Sequence, residues 1–245
     1  MTSTLLADPD LWNAEAPPVS QGPSVYVAIS GNTGAGKTTL ISHVVDQARG
    51  KGHAVIGIGE RSLHHPYLPR MFFDPERYAF PIQVNFMLQR HLVLLRQFER
   101  RCSVVIERSH FDDEMFVREH ADAGRISPEQ VAAYRALAEV LHARLPVPDI
   151  VVLMNPDPEV SMQRLAKSEQ NGERPREFPD EESKRKWVWR WFEMYKDLHR
   201  QFKVRCQEDV RFARTQLIEL DANAPSERSA DVVLKALLSR YADSK

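Results

Sequence analysis

A glycine-rich loop between a strand and a helix constrains this chain more than any other feature. Residues 25–40 begin as an apolar, β-prone run, break into glycines and continue with a lysine and two threonines. The spacing G-x-x-x-x-G-K-[ST] is met by Gly31, Gly36, Lys37 and Thr38. Because the pattern follows a predicted strand and precedes a predicted helix, it indicates a phosphate-binding loop rather than a glycine-rich turn that matches by chance.

Each residue type in this loop suits a bound triphosphate. Glycines let the backbone curl so that its N–H groups point at phosphate oxygens, Lys37 supplies a cation for the β and γ phosphates, and the Thr38 hydroxyl can ligate Mg²⁺. The following helix adds its positive N-terminal end. We therefore predict that ATP, with Mg²⁺, is held by the consecutive residues Gly31, Asn32, Thr33, Gly34, Ala35, Gly36, Lys37, Thr38 and Thr39.

The bulk composition limits the class of protein. The 245 residues are 42% hydrophobic and 27% charged, enough for one large α/β domain or for two small ones, and we expect one domain. A formal net charge of -1 gives no global basic field, so a nucleic-acid polymer is not an expected partner. With two cysteines, no signal-peptide pattern and no run of eighteen apolar residues, we expect a cytoplasmic protein without a membrane segment.

Strand and helix patterns alternate along the chain. After the opening strand, further strands are predicted at residues 54–58, 103–106, 149–154 and 215–220. Helices are predicted at residues 39–49, 78–101, 128–144, 159–167, 184–202 and 230–241. Five strands alternating with helices predict a parallel sheet covered on both faces.

The remaining segments are predicted to be irregular. Residues 1–23 carry four prolines and little periodicity, so they form a flexible tail before a single domain at residues 24–245. Residues 61–77 are rich in proline and aromatic side chains. The polar segment 168–182 suits a mobile lid that brings Arg174 and Arg176 over ATP, although charged loops are usually only solvated.

Charged side chains end two of the predicted strands. Glu60 follows the second strand, and Glu107 with Arg108 closes the third. Ligands of parallel sheets bind beyond the carboxyl ends of the strands, so Glu60 would face the phosphate loop; a solvated loop glutamate is equally consistent with its position. Glu107 is placed to help hold Mg²⁺. Arg108 could span donor and acceptor, or pair with a neighbouring carboxylate.

The long helix predicted at residues 78–101 has two polar interruptions. Gln83 and Arg90 lie two turns apart with Met87 between them, so the three share one face. Such a face could present hydrogen-bonding groups to a flat heterocycle. Alternatively, Gln83 and Arg90 edge the solvent side of the helix.

The ordered set of these motifs resembles the deoxyribonucleoside kinase family, over residues 26–220. The phosphate loop, Glu60 ahead of a Pro-Tyr-Leu segment, the Gln83 and Arg90 spacing, and Glu107-Arg108-Ser109 followed by Asp113 appear in the family's order. The resemblance implies a P-loop kinase fold, a three-layer sandwich with a five-stranded parallel sheet and a lid. It also implies a homodimer that transfers the γ-phosphoryl group of ATP to a nucleoside 5′-hydroxyl.

The resemblance also implies residue roles. Glu60 would be the catalytic base, and Arg108 and Lys37 would complete the catalytic set. Thr38 and Glu107 would hold Mg²⁺, and Arg174 and Arg176 would contact ATP. The residues implied to contact the nucleoside are Glu60, Phe72, Gln83, Met87, Arg90, Arg108, Asp113 and Asp180.

Substrate preference follows from agreements and departures. Arg90 with Asp113 resembles the branch that handles deoxyadenosine, deoxyguanosine or deoxycytidine. The family has a tyrosine where this chain has Phe72, and a glutamate where the simplest register gives Pro179; both family residues hold the sugar 3′-hydroxyl. Their loss suggests a sugar that differs at that carbon, or replacement by a neighbour such as Asp180.

Two other functions fit the same loop. A nucleoside monophosphate kinase would need cationic groups for a phosphorylated acceptor, so Glu60 argues against it, and comparing monophosphates with nucleosides as acceptors separates the two. A non-catalytic nucleotide-binding protein would bind nucleoside without consuming ATP. The joint presence of Glu60, Lys37 and Arg108 favours an active enzyme.

Overall fold

The computed structural model describes residues 24–60, 63, 67–173, 176–223 and 226–242, so the predicted tail at residues 1–23 lies outside it. Along the described residues, the regular elements follow the order β1 (Tyr26–Gly31), α1 (Lys37–Gly50), β2 (Val55–Ile58), α2 (Leu68–Phe73), α3 (Pro75–Glu99), β3 (Ser103–Glu107), α4 (His110–Asp122), α5 (Pro128–His142), β4 (Ile150–Met154), α6 (Pro158–Gln170), α7 (Glu181–Glu208), a 3₁₀ helix (Val210–Phe212), β5 (Gln216–Glu219) and α8 (Ser226–Ala242). None of these helices is both long enough and apolar enough to cross a bilayer.

The strands form one parallel sheet in the order β2-β3-β1-β4-β5. Strand β1 is central, and its Ala28 pairs with Ile106 of β3 on one side and Val151 of β4 on the other. The chain continues from β1 to β2 and β3 on one side, and then crosses to β4 and β5. The loop after β1 therefore lies at the middle of the carboxyl edge, where open parallel sheets bind ligands.

Helices cover both faces of the sheet. Along β1, Val27 and Ile29 pack in one core with residues of α1 and α8, whereas Tyr26 and Ala28 pack in another core with residues of α3. Side chains of β4 that point to this second face pack against α7. Because a strand buried on both sides reads as a continuous apolar run, the uninterrupted hydrophobic stretch of β1 predicted this layering. The predicted α/β class with a five-stranded parallel sheet is confirmed.

Two helices were not predicted from the sequence. Helix α2 lies in the proline-rich segment expected to be irregular, and Pro69 fits there because the first helical turn needs no N–H from that position. Helix α4 begins directly after Ser109. Its capping box, in which Ser109 and Asp112 satisfy each other's backbone N–H groups, was a readable signal.

The helices flanking the predicted lid extend into it. Helix α6 continues to Gln170 and α7 begins at Glu181, so the connecting segment spans residues 171–180 rather than 168–182. Lys184 joins the two helix ends that flank this segment. Its ammonium is 2.7 Å from carboxylate oxygens of both Glu169 and Glu181, and the side chain is only 4% exposed. This ion pair fixes the distance between the two helix ends, and it explains why regular structure persists through such a polar sequence.

Candidate active site

The phosphate loop adopts a backbone that only glycine tolerates at three positions. Gly34 and Gly36 have positive φ angles of 72° and 86°. A side chain on Gly31 would put its Cβ 1.9 Å from the carbonyl oxygen of Met154, and a Cβ on Gly34 would lie 2.8 Å from the carbonyl oxygen of Ser161. The loop is therefore wedged against β4 and α6, and these contacts fix its curvature.

Lys37 and Asn32 brace the loop from inside. The Lys37 ammonium donates to the Asn32 carbonyl oxygen at 2.7 Å, and the Asn32 side chain accepts from the Thr33 N–H and donates to the Val188 carbonyl oxygen. Burial lowers the pKa of Lys37, and the nearby Glu107 carboxylate opposes that effect. Asn32 is thus a structural brace of the loop, tied to α7.

Glu107, at the end of β3, joins the loop to the neighbouring strand. One carboxylate oxygen accepts from the Thr38 hydroxyl at 3.0 Å and from the Glu60 N–H at 3.2 Å, and the other lies 3.4 Å from the Lys37 ammonium. Burial alone would raise the pKa of Glu107, but Lys37, Arg108 and these hydrogen bonds lower it to about 2. The carboxylate is therefore anionic in the folded protein, beside the hydroxyl predicted to ligate Mg²⁺.

Arg108 is held in an unusual backbone conformation. Its φ angle is 63°, in the left-handed region that non-glycine residues rarely occupy. The side chain pairs with the Glu60 carboxylate and lies over the Phe116 ring, 4.7 Å from its centroid. Burial works to lower the pKa of Arg108, but Glu60 and Tyr195 outweigh it and the pKa is raised. Glu60 and Arg108 thus orient each other. This ion pair is the pairing with a neighbouring carboxylate that the sequence suggested for Arg108.

Arg90 of α3 is buried, and its guanidinium pairs with a carboxylate in the first turn of α4. Its guanidinium forms a two-pronged pair with Asp113, at 2.9 and 3.1 Å, and donates to the carbonyl oxygens of Glu107 and Arg108 at 2.9 and 3.3 Å. Gln83 is buried as well, at 3% exposure. The solvent-edge alternative for Gln83 and Arg90 is therefore wrong.

One cavity of about 690 Å³ connects these groups. We call its lining from residues 33–39 the phosphate end. We call the lining from Glu60 and Arg108, together with that from α2 and α3, the acceptor end; the α2 and α3 contribution is Leu68, Met71, Phe72, Gln83, Phe86 and Arg90. Its size is typical of a small-molecule site, and its mixture of apolar walls and a few charged groups suits a flat polar ligand.

Several residues implied by the family resemblance do not line this cavity. Met87 is packed in a separate core with Val117 and Tyr134. Asp180 is exposed and caps α7 by accepting from the Ser183 N–H at 2.7 Å. Gly31 and Asn32 shape the loop backbone but do not line the cavity. Arg176 is exposed and does not line the cavity either, and Arg174 lies outside the described residues.

Other lining residues were missed from sequence. Arg164 of α6 donates to the carbonyl oxygens of Ala35 and Ala222, at 3.3 and 2.8 Å, and so joins the phosphate loop to the segment after β5. Carboxylates of the lid segment, Glu173 and Glu177, also line the cavity. The suggestion of a sugar that differs at the 3′ carbon has no support.

Phe178, in the segment predicted to be a lid, meets two other aromatic side chains at the acceptor end. Phe178 of the lid, Phe72 of α2 and Trp187 of α7 have ring centroids 5.2 to 5.9 Å apart in tilted and edge-on arrangements. All three line the cavity. We call these three rings the aromatic cluster.

The family profile described as deoxynucleoside kinase matches residues 27–178. The chain belongs to the deoxynucleoside kinase family. It is 29% identical over 142 residues to a deoxyadenosine/deoxycytidine kinase of Bacillus subtilis, covering 57% of this chain and 63% of that one. It is 28% identical over 178 residues to a deoxyguanosine kinase of Lactobacillus johnsonii, covering 69% and 77%.

Coverage of the relatives varies. A Dictyostelium discoideum deoxyguanosine kinase is 27% identical, and the chain spans only 50% of its length. The chain thus spans 50% to 77% of the lengths of these three relatives. Among solved structures, a deoxyadenosine kinase from M. mycoides superimposes with a TM-score of 0.62, at 18% identity, over 88% of this chain and 100% of that one. This likeness supports the fold.

Proposed function

We propose that this protein is a deoxyribonucleoside kinase that transfers the γ-phosphoryl group of ATP to the 5′-hydroxyl of a nucleoside. One observation carries the proposal. The Glu60 carboxylate and the phosphate loop line the same cavity, and Arg108 pairs with Glu60 inside it. Transfer to an alcohol needs a base on the acceptor side, cations on the donor side and little covalent chemistry.

At the phosphate end, the loop N–H groups and Lys37 would hold the triphosphate. Thr38 and Glu107 fit a Mg²⁺ ion because a hydroxyl and an anionic carboxylate lie 3.0 Å apart at the loop, and Mg²⁺ prefers few protein ligands with phosphates and waters completing its shell. When bound, the ion neutralises charge on the phosphates.

At the acceptor end, Glu60 would take the proton from the attacking 5′-hydroxyl. Its pairing with Arg108 fixes the carboxylate in the cavity and puts a permanent cation beside the path of the transferred group. In a loose transition state negative charge spreads over the phosphoryl oxygens, and a guanidinium meets that charge with several donors. Arg108 therefore serves both to orient the base and to stabilise the transition state.

Base recognition is assigned to Gln83 between aromatic walls. The buried Gln83 amide offers both a donor and an acceptor, and Phe86 and Phe116 supply flat apolar surface in the same cavity. Arg90 and Asp113 already satisfy each other, so they form a fixed polar wall. The relatives named for deoxyadenosine, deoxycytidine and deoxyguanosine support a purine or cytidine type of substrate with an ordinary deoxyribose.

A homodimer is the proposed assembly. Leu88 and Leu92 on α3 and Leu137 and Val140 on α5 are exposed large apolar side chains on two helices that share a core. Large apolar side chains exposed on two neighbouring helices are typical of an association face. Light scattering after size exclusion should give twice the 28.2 kDa chain mass for the parent, and Leu92→Glu combined with Val140→Glu should give one chain mass.

The test of function is an acceptor screen with product identification. Purified protein is incubated with ATP and Mg²⁺ and each of the four common deoxynucleosides, their ribonucleoside counterparts, and dAMP and dTMP, and products are identified by mass. We expect 5′-monophosphates from deoxyadenosine, deoxyguanosine or deoxycytidine. Diphosphate formation from the monophosphates would indicate a nucleoside monophosphate kinase. Nucleoside binding without any ATP consumption would indicate a non-catalytic protein.

A further inference from the structure

A second cavity, of about 340 Å³, lies where the first turn of α4, helix α5 and the C-terminal end of α7 meet. It is lined by residues that include His110, Tyr134, His142 and Arg205. It shares no described lining residue with the cavity of about 690 Å³ described above, which we call the kinase cavity. Neither the phosphate loop nor the predicted nucleoside contacts reach it. Its volume is many times the roughly 30 Å³ that one water occupies.

Three polar atoms buried around this cavity have no partner among the described residues. They are the His110 Nδ1, the His142 Nε2 and the Tyr134 hydroxyl. His110 is 6% exposed and Tyr134 is 1% exposed, so bulk water does not reach most of either side chain. Buried polar atoms are nearly always hydrogen-bonded, and several unsatisfied ones at one cavity therefore point to a ligand. The two imidazole rings lie 4.3 Å apart between centroids and form one polar wall.

Three arginines, Arg135, Arg205 and Arg211, and two glutamates, Glu114 and Glu139, line the cavity beside this wall, so the lining carries one net positive charge. Arg205 lies over the Phe111 ring, 4.9 Å from its centroid, a contact that uses the face of the guanidinium and leaves its N–H edge available. Arg211 also lines the cavity, held in place by Asp209. Burial lowers the pKa of His110 well below its usual value, and neighbouring cationic groups lower it further, which is an independent sign of positive potential.

We propose that this cavity is a second binding site, which takes a phosphoryl dianion, either free phosphate or the phosphate group of a small phosphomonoester. Arg205 would supply a fork of N–H donors, and the imidazoles of His110 and His142 would each donate one ring N–H, since a neutral imidazole carries one donor. Several donors converging from different directions match the three or more acceptor oxygens of a phosphoryl group.

A metal ion is the competing occupant for a pair of histidines. Glu114 and Glu139 also line the cavity, but in the described part of the chain no three such side chains come together as metal ligands. Glu114 instead lies 3.8 Å from Arg135. The arrangement of arginines beside the imidazoles opposes a cation and favours an anion.

The test is a titration of the full protein with sodium phosphate at constant ionic strength. The chemical shifts of the histidine ring nitrogens are monitored by NMR at each phosphate concentration. The signals of His110 and His142 are assigned with His110→Gln and His142→Gln, and MgADP is kept saturating so that the phosphate loop is occupied. We expect a saturable shift of both ring signals. In Arg205→Gln the affinity should fall about tenfold or more, because a charge-assisted hydrogen bond is lost. Arg200→Gln, an exposed position on the same helix, should leave it unchanged.

Further arms separate the sources and the alternatives. Glycerol phosphate that produces the same shift identifies a phosphomonoester site, whereas a shift with inorganic phosphate alone identifies a free-phosphate site; both support the proposal. Equal shifts with acetate, a shift that never saturates, or an unchanged affinity in Arg205→Gln would overturn it. So would a response of the same two signals to Zn²⁺ but not to phosphate.

Discussion

The two ends of the kinase cavity are built in different ways. The phosphate end comes from one run of consecutive residues, which β4, α6 and α7 brace from outside through Met154, Ser161 and Val188. The acceptor end is assembled from separate elements, since Glu60 follows β2, Gln83 lies on α3 and Arg108 follows β3. The first end takes its functional groups from one short stretch of chain, whereas the second brings them together only through the packing of the sheet and its helices.

This contrast predicts different responses to mutation. Changes at the phosphate end should alter the handling of ATP whatever the acceptor, whereas changes at the acceptor end should alter the handling of the nucleoside and leave ATP binding intact. Arg108 is the exception, because it pairs with Glu60 and directly follows Glu107, whose carboxylate accepts from the Thr38 hydroxyl of the loop. It should therefore affect both.

Arg108→Lys should produce the greatest loss of turnover. Lysine keeps one charge but cannot pair with Glu60 and meet the transferred group together, and an arginine at a transferring phosphoryl group is worth about 10³ to 10⁵ in rate. Steady-state kcat with saturating ATP and nucleoside measures the effect. Arg118→Gln, an exposed position on α4 paired with Asp197, is the matched control and should keep parental kcat. If the kcat of Arg108→Lys stays within tenfold of the parental kcat, Arg108 does not stabilise the transition state.

Gln83→Ala should act on the acceptor alone. A buried amide that both donates to and accepts from the nucleobase would contribute about 2 to 3 kcal/mol, so its loss should raise the nucleoside KM by about 30- to 150-fold. The KM for ATP should stay within twofold. Gln97→Ala tests specificity, because Gln97 is also buried on α3 but does not line the cavity. Equal changes in both KM values would abolish the distinction between the two ends.

Trp187→Leu should weaken the closure of the lid over the acceptor end. Each aromatic contact in the aromatic cluster contributes about 0.5 to 1.5 kcal/mol beyond its buried area, so nucleoside KM should rise by about three- to tenfold. Trp189→Leu is the control, since that ring lies against Arg185 instead. A loss confined to the KM for ATP would assign the aromatic cluster to the phosphate end.

Glu107→Gln should change the pH dependence of stability. The pKa of Glu107 is lowered to about 2, so its carboxylate stabilises the fold above about pH 4.5, and that contribution is lost as the pH falls toward 2. The stability gap between parent and variant should therefore narrow by about 1 kcal/mol between about pH 7 and pH 4, measured by urea unfolding. A constant gap would mean that Glu107 is not held as a paired anion.

The difference between the two ends also explains what the sequence revealed. The strand, loop and helix of the phosphate end and the parallel sheet were predictable because their signals lie within short windows of residues. The burial of Gln83 and Arg90 was left open, since helical periodicity gives a face without saying what covers it. Glu173, Glu177 and Arg164 were missed because their place in the cavity depends on how α6 and the lid pack, which no local pattern encodes.

Met87 shows the opposite error. It shares a helical face with Gln83 and Arg90, and the resemblance implied a nucleoside contact, but the side chain packs against Val117 and Tyr134. A helix face is wider than a cavity wall, so neighbours on one face can serve core and site separately. Helix α4, in contrast, could have been predicted from the Ser109 and Asp112 capping box alone.

The most direct test compares Glu60→Gln with the parent in kcat and in the nucleoside dissociation constant. It asks whether the acceptor end and the phosphate end take part in one reaction. The glutamine keeps the shape and a hydrogen bond to Arg108 but cannot take a proton, and a general base contributes about 10² to 10⁴ in rate. We expect kcat to fall by about that factor, with the nucleoside dissociation constant from calorimetry within about threefold of the parent and the melting temperature little changed. Parental kcat in Glu60→Gln would show that the proton leaves by another route and that Glu60 is not the base.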